Sequence, residues 1–231
     1  MKRFYKTATA VPAGDGFGVA LDGKLVKSPA KAAFVLPGRA LAEAVAAEWA
    51  AQGDTIVPSA MPLMQLAATA IDKVAPNPDV IVDTIAPYGG TDLLCYRAEA
   101  PATLAERQQA QWQPLLDWAM VAHDAPLTAT AGIVHQAQPA ASLAALRAAV
   151  SAQDPWRLTA LHQVTTLTGS LVLGLALLAG RIDADMAFDL AELDASFQIE
   201  RWGEDAEAMT RRETLRAELR AAARLVELTA G

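Results

Sequence analysis

Thirteen prolines punctuate the front of this 231-residue chain, and none follows Pro155. Proline has no backbone N–H to donate and breaks helix interiors. The last 76 residues are therefore free to form long regular helices, whereas the part before them is cut into short pieces. The chain holds 52 alanines and only 6% aromatic residues. Alanine favours helix while burying little area. Two architectures are expected along one chain.

In the front part, Phe17, Val19 and Leu21 alternate with small residues, and Lys24-Leu25-Val26-Lys27 follows Asp22-Gly23. Asp-Gly between two such runs predicts a hairpin with a type I′ turn. Phe34-Val35-Leu36 predicts a further short strand. Pro37 opens a helix in which Leu41, Val45 and Trp49 share a face, with Gly53 as its stop. Ser59 is the expected cap of a second helix, apolar at Leu63, Leu66, Ala67, Ala70, Ile71 and Val74. A short helix is expected around residues 80–86. The run from Thr91 to Arg97 reads as a buried strand. Pro101 starts a helix with Trp112, Leu115, Leu116 and Ala119 inward, which Pro114 should kink or restart. Gly132-Ile133-Val134-His135 reads as one more strand.

Behind these, Asp154 and Pro155 open a helix expected to continue to Gly180 and to be buried nearly all round, given Leu161, Val164, Leu171, Leu175 and Leu178. Asp183 caps the next helix, with Met186, Leu190, Leu193 and Phe197 inward. Gly203 ends it, and a last helix runs from about Asp205 to Leu228. Short loops make these three antiparallel neighbours. The expected class is α+β: a β-containing N-terminal domain with packed helices over residues 1–138, then an all-helical orthogonal or antiparallel bundle over residues 139–231.

The formal charge of −7, with no window dense in Lys and Arg alone, argues against nucleic-acid binding, which needs a basic surface to displace phosphate counterions. The apolar run from Leu171 to Ala179 is too short to span a bilayer, so no stable membrane insertion is expected. The N-terminus has no apolar signal core. A single cysteine, Cys95, cannot form an internal disulfide and reads as a small buried side chain. The cluster Gly14-x-Gly16-x-Gly18 precedes a hairpin and not a helix, so it cradles no phosphate. His123, His135 and His162 lack metal-motif spacing. No catalytic constellation and no cofactor site is legible. Asp185, Asp189 and Glu192 share a helical face, expected to be solvated, with an acidic docking surface as the alternative.

Two stretches look too specific for scaffold. Glu200, Trp202, Gly203, Asp205 and Glu207 gather charges around a Trp-Gly break between helices. This is either a corner plugged by Trp202 and capped by Glu204 or Asp205, or a partner contact anchored by tryptophan. Asp92, Tyr96 and Arg97 pose the same choice between a buried ion pair and a recognition site.

These residues, in order, carry a resemblance. Arg3-Phe4-Tyr5-Lys6, Leu21-Asp22-Gly23-Lys24 before Lys27-Ser28-Pro29, Ala47-Glu48-Trp49-Ala50-Ala51-Gln52 and Met61-Pro62-Leu63 are followed by the segment from Thr91 to Arg97. Trp112-Gln113-Pro114-Leu115-Leu116-Asp117-Trp118, Gly169-Ser170-Leu171-Val172-Leu173-Gly174 and the stretch from Phe197 to Gly203 complete the set. Together they resemble the assembly chaperones of the F-type ATP synthase head, in particular those serving its alpha subunit. Gln113 stands where such proteins often carry an acid, and Met64 where they often carry threonine. The resemblance implies a non-enzymatic protein that binds unassembled alpha subunit and prevents its aggregation until beta subunit replaces it. It further implies no metal and no cofactor, a monomer, and a bacterial cytoplasmic location (mitochondrial matrix in eukaryotic relatives). Acidic residues of the C-terminal region are implicated in such proteins, and Glu200, Asp205 and Glu207 are the positions that fit. The competing expectation is a small-molecule binder or enzyme whose site lies between the two domains, using Asp92, Tyr96, Arg97 and His162.

Overall fold

A computed structural model describes residues 1–230 of the chain. They form two compact units, neither continuous in sequence. The first comprises Met1–Pro78, Asp154–Ala160 and residues 224–230; the second comprises Asp79–Gln153 and Leu161–Ala223. The main stretch of the first unit ends at Pro78, and the chain re-enters that unit twice. Strands occur only before residue 132 and every later element is helical, so the class is α+β.

In the first unit, β1 (Ala8–Ala13), β2 (Gly16–Leu21) and β3 (Lys24–Leu25) form an antiparallel sheet in the order β1-β2-β3. The turn expected at Asp22-Gly23 is present. Both residues take positive φ, 47° and 80°, as a type I′ turn demands. Helix α1 (Arg39–Ala50) packs on β1 and β2 with Leu41, Val45 and Trp49 buried. Helix α2 (Pro62–Thr69) starts at its proline, but Ser59 does not cap it. The carboxylate of Glu48 accepts the N–H groups of Leu63 and Met64, both at 2.8 Å. A longer side chain from a packed neighbour reaches the orphan donors that the local serine was expected to serve. From Ala70 to Val74 the helix widens into a π turn closed by Ala75 N–H to Ala70 C=O.

The second unit begins with α3 (Pro78–Ile85), whose first residue belongs to the first unit. A short parallel pair, β4 (Tyr96–Arg97) with β5 (Thr130–Ala131), flanks α4 (Ala102–His123). The stretch from Thr91 to Arg97 is thus mostly not strand. Leu93–Cys95 is a 3-10 turn, because Asp92 Oδ1 accepts Leu94 N–H and tightens the backbone. Nor is Gly132–His135 a strand: pairing stops at Ala131, and Gly132 turns away at φ 79°. Helix α4 runs unbroken through Pro114.

Next come α5 (Ala140–Ser151), α6 (Pro155–Thr168) and α7 (Leu171–Leu178). The long helix expected up to Gly180 is two helices. Gly169 sits at φ 70°, a conformation glycine adopts without steric cost, and Ser170 caps α7 by accepting Leu173 N–H at 3.0 Å. All eight residues of α7 are buried, as its composition required. The next expected helix is likewise divided, at Glu192, into α8 (Ala184–Ala191) and α9 (Leu193–Trp202). Met186, expected inward, is exposed. The final helix is α10 (Ala206–Thr229).

Candidate functional site

The α9–α10 corner is built from α4 outward. Gln108 Nε2 donates to Asp194 Oδ1 at 2.7 Å, and Trp112 Nε1 donates to the Leu190 carbonyl at 3.0 Å. Arg107 forms two parallel hydrogen bonds to Glu200, at 2.7 and 2.9 Å. Such a fork fixes geometry as well as charge. It holds the Glu200 carboxyl below its ordinary range and the guanidinium above its own. Phe197 is buried between the guanidinium groups of Arg107 and Arg201, 5.3 and 4.3 Å from its ring centre. Helix α9 is thereby pinned to its last turn.

Gly203 then leaves the helix at φ 89° and ψ 174°, a combination that side chains avoid. Asp205 caps α10 by accepting Ala208 N–H at 2.9 Å, and Glu207 lies in the first turn, where an acid favours the helix dipole. One alternative for this corner had Trp202 as its plug. It is not one: Trp202 is 77% exposed. The corner is held by Gly203, Asp205 and the Arg107–Glu200 pair, while its largest side chain stands in solvent.

The second stretch is differently employed. Asp92 is fully buried. It accepts Ser170 Oγ–H at 2.7 Å, Val172 N–H at 3.0 Å and Leu94 N–H at 3.1 Å. It therefore ties the α6–α7 elbow to the 3-10 turn before β4. Burial pushes its carboxyl up to about 6, against the lowering effect of these bonds. Asp92 makes no pair with Arg97 and has no surface to offer a partner.

Arg97 is 8% exposed and stacks over Trp112 at 5.1 Å. Its Nη2 reaches Gln113 Oε1 at 3.5 Å, while Nε and Nη1 have no hydrogen-bond partner among the described residues. Burial lowers its pKa. The departure at Gln113 thus falls on the residue facing this guanidinium, and Gln113 itself donates to Asp117 Oδ1 at 2.8 Å. Tyr96 OH lies 3.1 Å from His135 Nδ1. Cys95 is buried, and burial pushes its thiol up to about 12, far from a reactive thiolate. Asp92, Tyr96 and Arg97 are close in sequence, yet each is engaged with different neighbours.

The acidic face of α8 is ion-paired: Asp185 and Asp189 remain solvent-exposed, as expected, and Glu192 is buried. Asp185 takes two bonds from Arg220, at 3.1 and 3.0 Å; Asp189 takes Arg216 at 3.2 Å; Glu192 takes Arg212 at 2.6 Å. Arg212 and Arg216 also stack on Phe188. The sequence contained the signal: Asp185, Asp189, Glu192 and Arg212, Arg216, Arg220 repeat at matching helical spacings. Among the described residues, no group of three His, Cys, Asp or Glu is placed to hold a metal ion, and no helix is long and apolar enough to cross a membrane.

Residues 2–120 match a family model described as ATP12 chaperone protein. A curated relative, mitochondrial protein atp12 of Schizosaccharomyces pombe, is 27% identical over 220 residues, covering 89% of this chain and 75% of its own. The crystal structure of Atp12 from Paracoccus denitrificans is 44% identical with a TM-score of 0.93, covering 99% of this chain and 98% of that one. An aspartate-to-lysine mutant of the same Paracoccus protein matches equally, at 44% identity and TM-score 0.93, with coverage of 99% and 97%.

Proposed function

This chain belongs to the ATP12 chaperone family, and we propose from that premise that it assists assembly of the F-type ATP synthase head. In this reading it binds unassembled alpha subunit and keeps it from aggregating until beta subunit takes its place. It does so as a monomer in a bacterial cytoplasm, without catalysis, cofactor or metal.

The observation that carries the reading is the exposure of Trp202. Tryptophan is a favoured anchor at protein interfaces. This one stands on a corner whose backbone is capped and whose neighbours are ion-paired, so it adds little to the fold. Asp205 and Glu207, which enter no ion pair among the described residues, follow it in the chain just beyond Gly203, while Glu200 before it is already paired with Arg107. An unassembled subunit exposes a large apolar interface. An apolar anchor within an acidic rim suits a client that must be held and then released to a better-fitting partner, because rim charges steer association more than they tighten it.

The test is the double variant Trp202→Ala, Glu207→Lys, assayed for suppression of alpha-subunit aggregation. The expected result is weakened protection at unchanged helicity by circular dichroism. Full protection by this folded variant would remove the corner from the client surface. Absence of any complex between wild-type protein and isolated alpha subunit would overturn the reading itself.

A further inference from the structure

All six lysines of the chain, Lys2, Lys6, Lys24, Lys27, Lys31 and Lys73, lie in its first 73 residues. The first 31 residues carry six basic and only two acidic side chains, in a protein whose formal charge is −7. Every ion pair among the described residues uses arginine, and no lysine enters one. The lysines are thus gathered in the first unit, and none is held in an ion pair among the described residues.

Two of these lysines, Lys24 and Lys27, stand on the rim of a groove of about 510 Å³ in the first unit. Its apolar lining includes Phe4, Leu25, Trp49 and Met64. Phe4 is 65% exposed and Leu25 55% exposed, so two large apolar side chains face solvent here. Asp22, the one acid in the lining, is already committed. Its carboxylate accepts Lys6 N–H, Thr7 N–H and Thr7 Oγ–H at 2.8–3.1 Å, and these bonds hold it below the usual carboxylate range.

The groove borders β3, one of the two edge strands of the sheet, just before the bridge between Lys27 and Ala33. In the β2–β3 register, Ala20 faces Leu25, one step from the hydrogen-bonded turn pair Leu21–Lys24. Leu25 therefore points its own N–H and C=O away from β2, toward the open side. An exposed edge, an apolar groove and an unpaired cationic rim together describe a receptor for extended chain.

We propose that this groove docks an extended, acidic segment of a partner protein, with one apolar side chain entering the Phe4–Leu25 lining. Its carboxylates meet Lys24 and Lys27, and its backbone meets Leu25. This surface is distinct from the α9–α10 corner, and the proposal stands without the alpha-subunit reading.

The test uses the full chain and a fluorescein-labelled peptide of glutamates around a central Leu-Phe pair. Anisotropy should show saturable binding that weakens with added salt. The Lys24→Glu, Lys27→Glu variant should weaken it about tenfold or more, since both side chains are exposed and rim charge reversal does not disturb the core. Phe4→Ala should weaken it with the charge intact. In 15N-labelled protein the peptide should move the Trp49 indole signal, assigned with Trp49→Phe, and leave the Trp202 signal in place. Equal binding of a peptide with lysine for glutamate would overturn the proposal. So would undiminished binding by the folded charge-reversed variant, or preferential capture of RNA or anionic vesicles. If that variant instead self-associates while still binding the peptide, the lysines only guard the edge against strand pairing, and the proposal is likewise overturned.

Discussion

Asp92 shows how one side chain can hold a fold while looking like a binding residue. Its three accepted hydrogen bonds join the turn before β4 to the start of α7. Asp92→Asn places an amide N–H₂ against these donors and should cost about 1–3 kcal/mol in urea unfolding. The carboxyl is also raised from 3.8 to about 6 by burial. A raised carboxyl binds its proton more tightly in the folded state than in the unfolded one. Its contribution is therefore fully present below about pH 4 and is lost as pH rises through about 6. The stability gap between wild type and Asp92→Asn should narrow as pH rises through that window. A gap independent of pH would show that Asp92 stays ionised throughout. At the same scale Arg3 is structural. Its guanidinium donates to the Tyr5, Lys6 and Gln52 carbonyls, closing the end of α1, while Tyr5 OH donates to Trp49 C=O at 2.7 Å. Within Arg3-Phe4-Tyr5-Lys6, Arg3 and Tyr5 are spent on the fold, while Phe4 and Lys6 have exposed side chains.

Elements repeat the pattern: several family motifs are joints between helices. Glu48 caps α2 from α1, Ser170 caps α7, and the α8 acids interlock with the α10 arginines. Close approach is the other joint. A Cβ added at Gly174 on α7 would lie 2.7 Å from Leu161 Cδ1 and 2.8 Å from Thr165 Oγ1 of α6. Gly174→Ala improves helix propensity, yet overpacking should win, with a net loss of about 1–3 kcal/mol read as a lowered Tm. A raised Tm would mean that α6 yields at this contact. The elements expected from periodicity and turn signals were mostly present, including the hairpin, α1, α4 and α10. Those misjudged, the strands at Thr91–Arg97 and Gly132–His135 and the two over-long helices, failed where a single cap or glycine turned the backbone.

For the whole molecule, the division into units governs what can be cut. Truncation after Gln138 would remove Asp154–Ala160 and residues 224–230 from the first unit, and most of the helical part of the second. The fragment 1–138 should therefore lack cooperative unfolding and bind a hydrophobic dye, as seen in thermal circular dichroism and fluorescence. A cooperative transition in that fragment would show that the early residues fold alone. Charge is also distributed at this scale: arginines pair with acids in both units, mostly in the second, and the lysines, all in the first, enter no ion pair among the described residues.

What the sequence determined by itself was local and periodic. It determined the Asp22-Gly23 turn, which depends on the φ of two residues, and the burial of α7, which follows from eight apolar or small side chains in a row. It also determined the split between a proline-punctuated front and a helical end, and the order of motifs from which the family could be read. The tertiary structure decided which polar side chains are spent within the fold. Asp92, Glu48, Glu200 and the α8 acids look alike in sequence to Asp205 and Glu207. What separates them is whether a distant N–H or guanidinium lies within bonding reach, a matter of chain path that no local spacing records. The same holds for Trp202. Its exposure depends on no neighbour being folded over it, and only the packed arrangement of α4, α9 and α10 settled that.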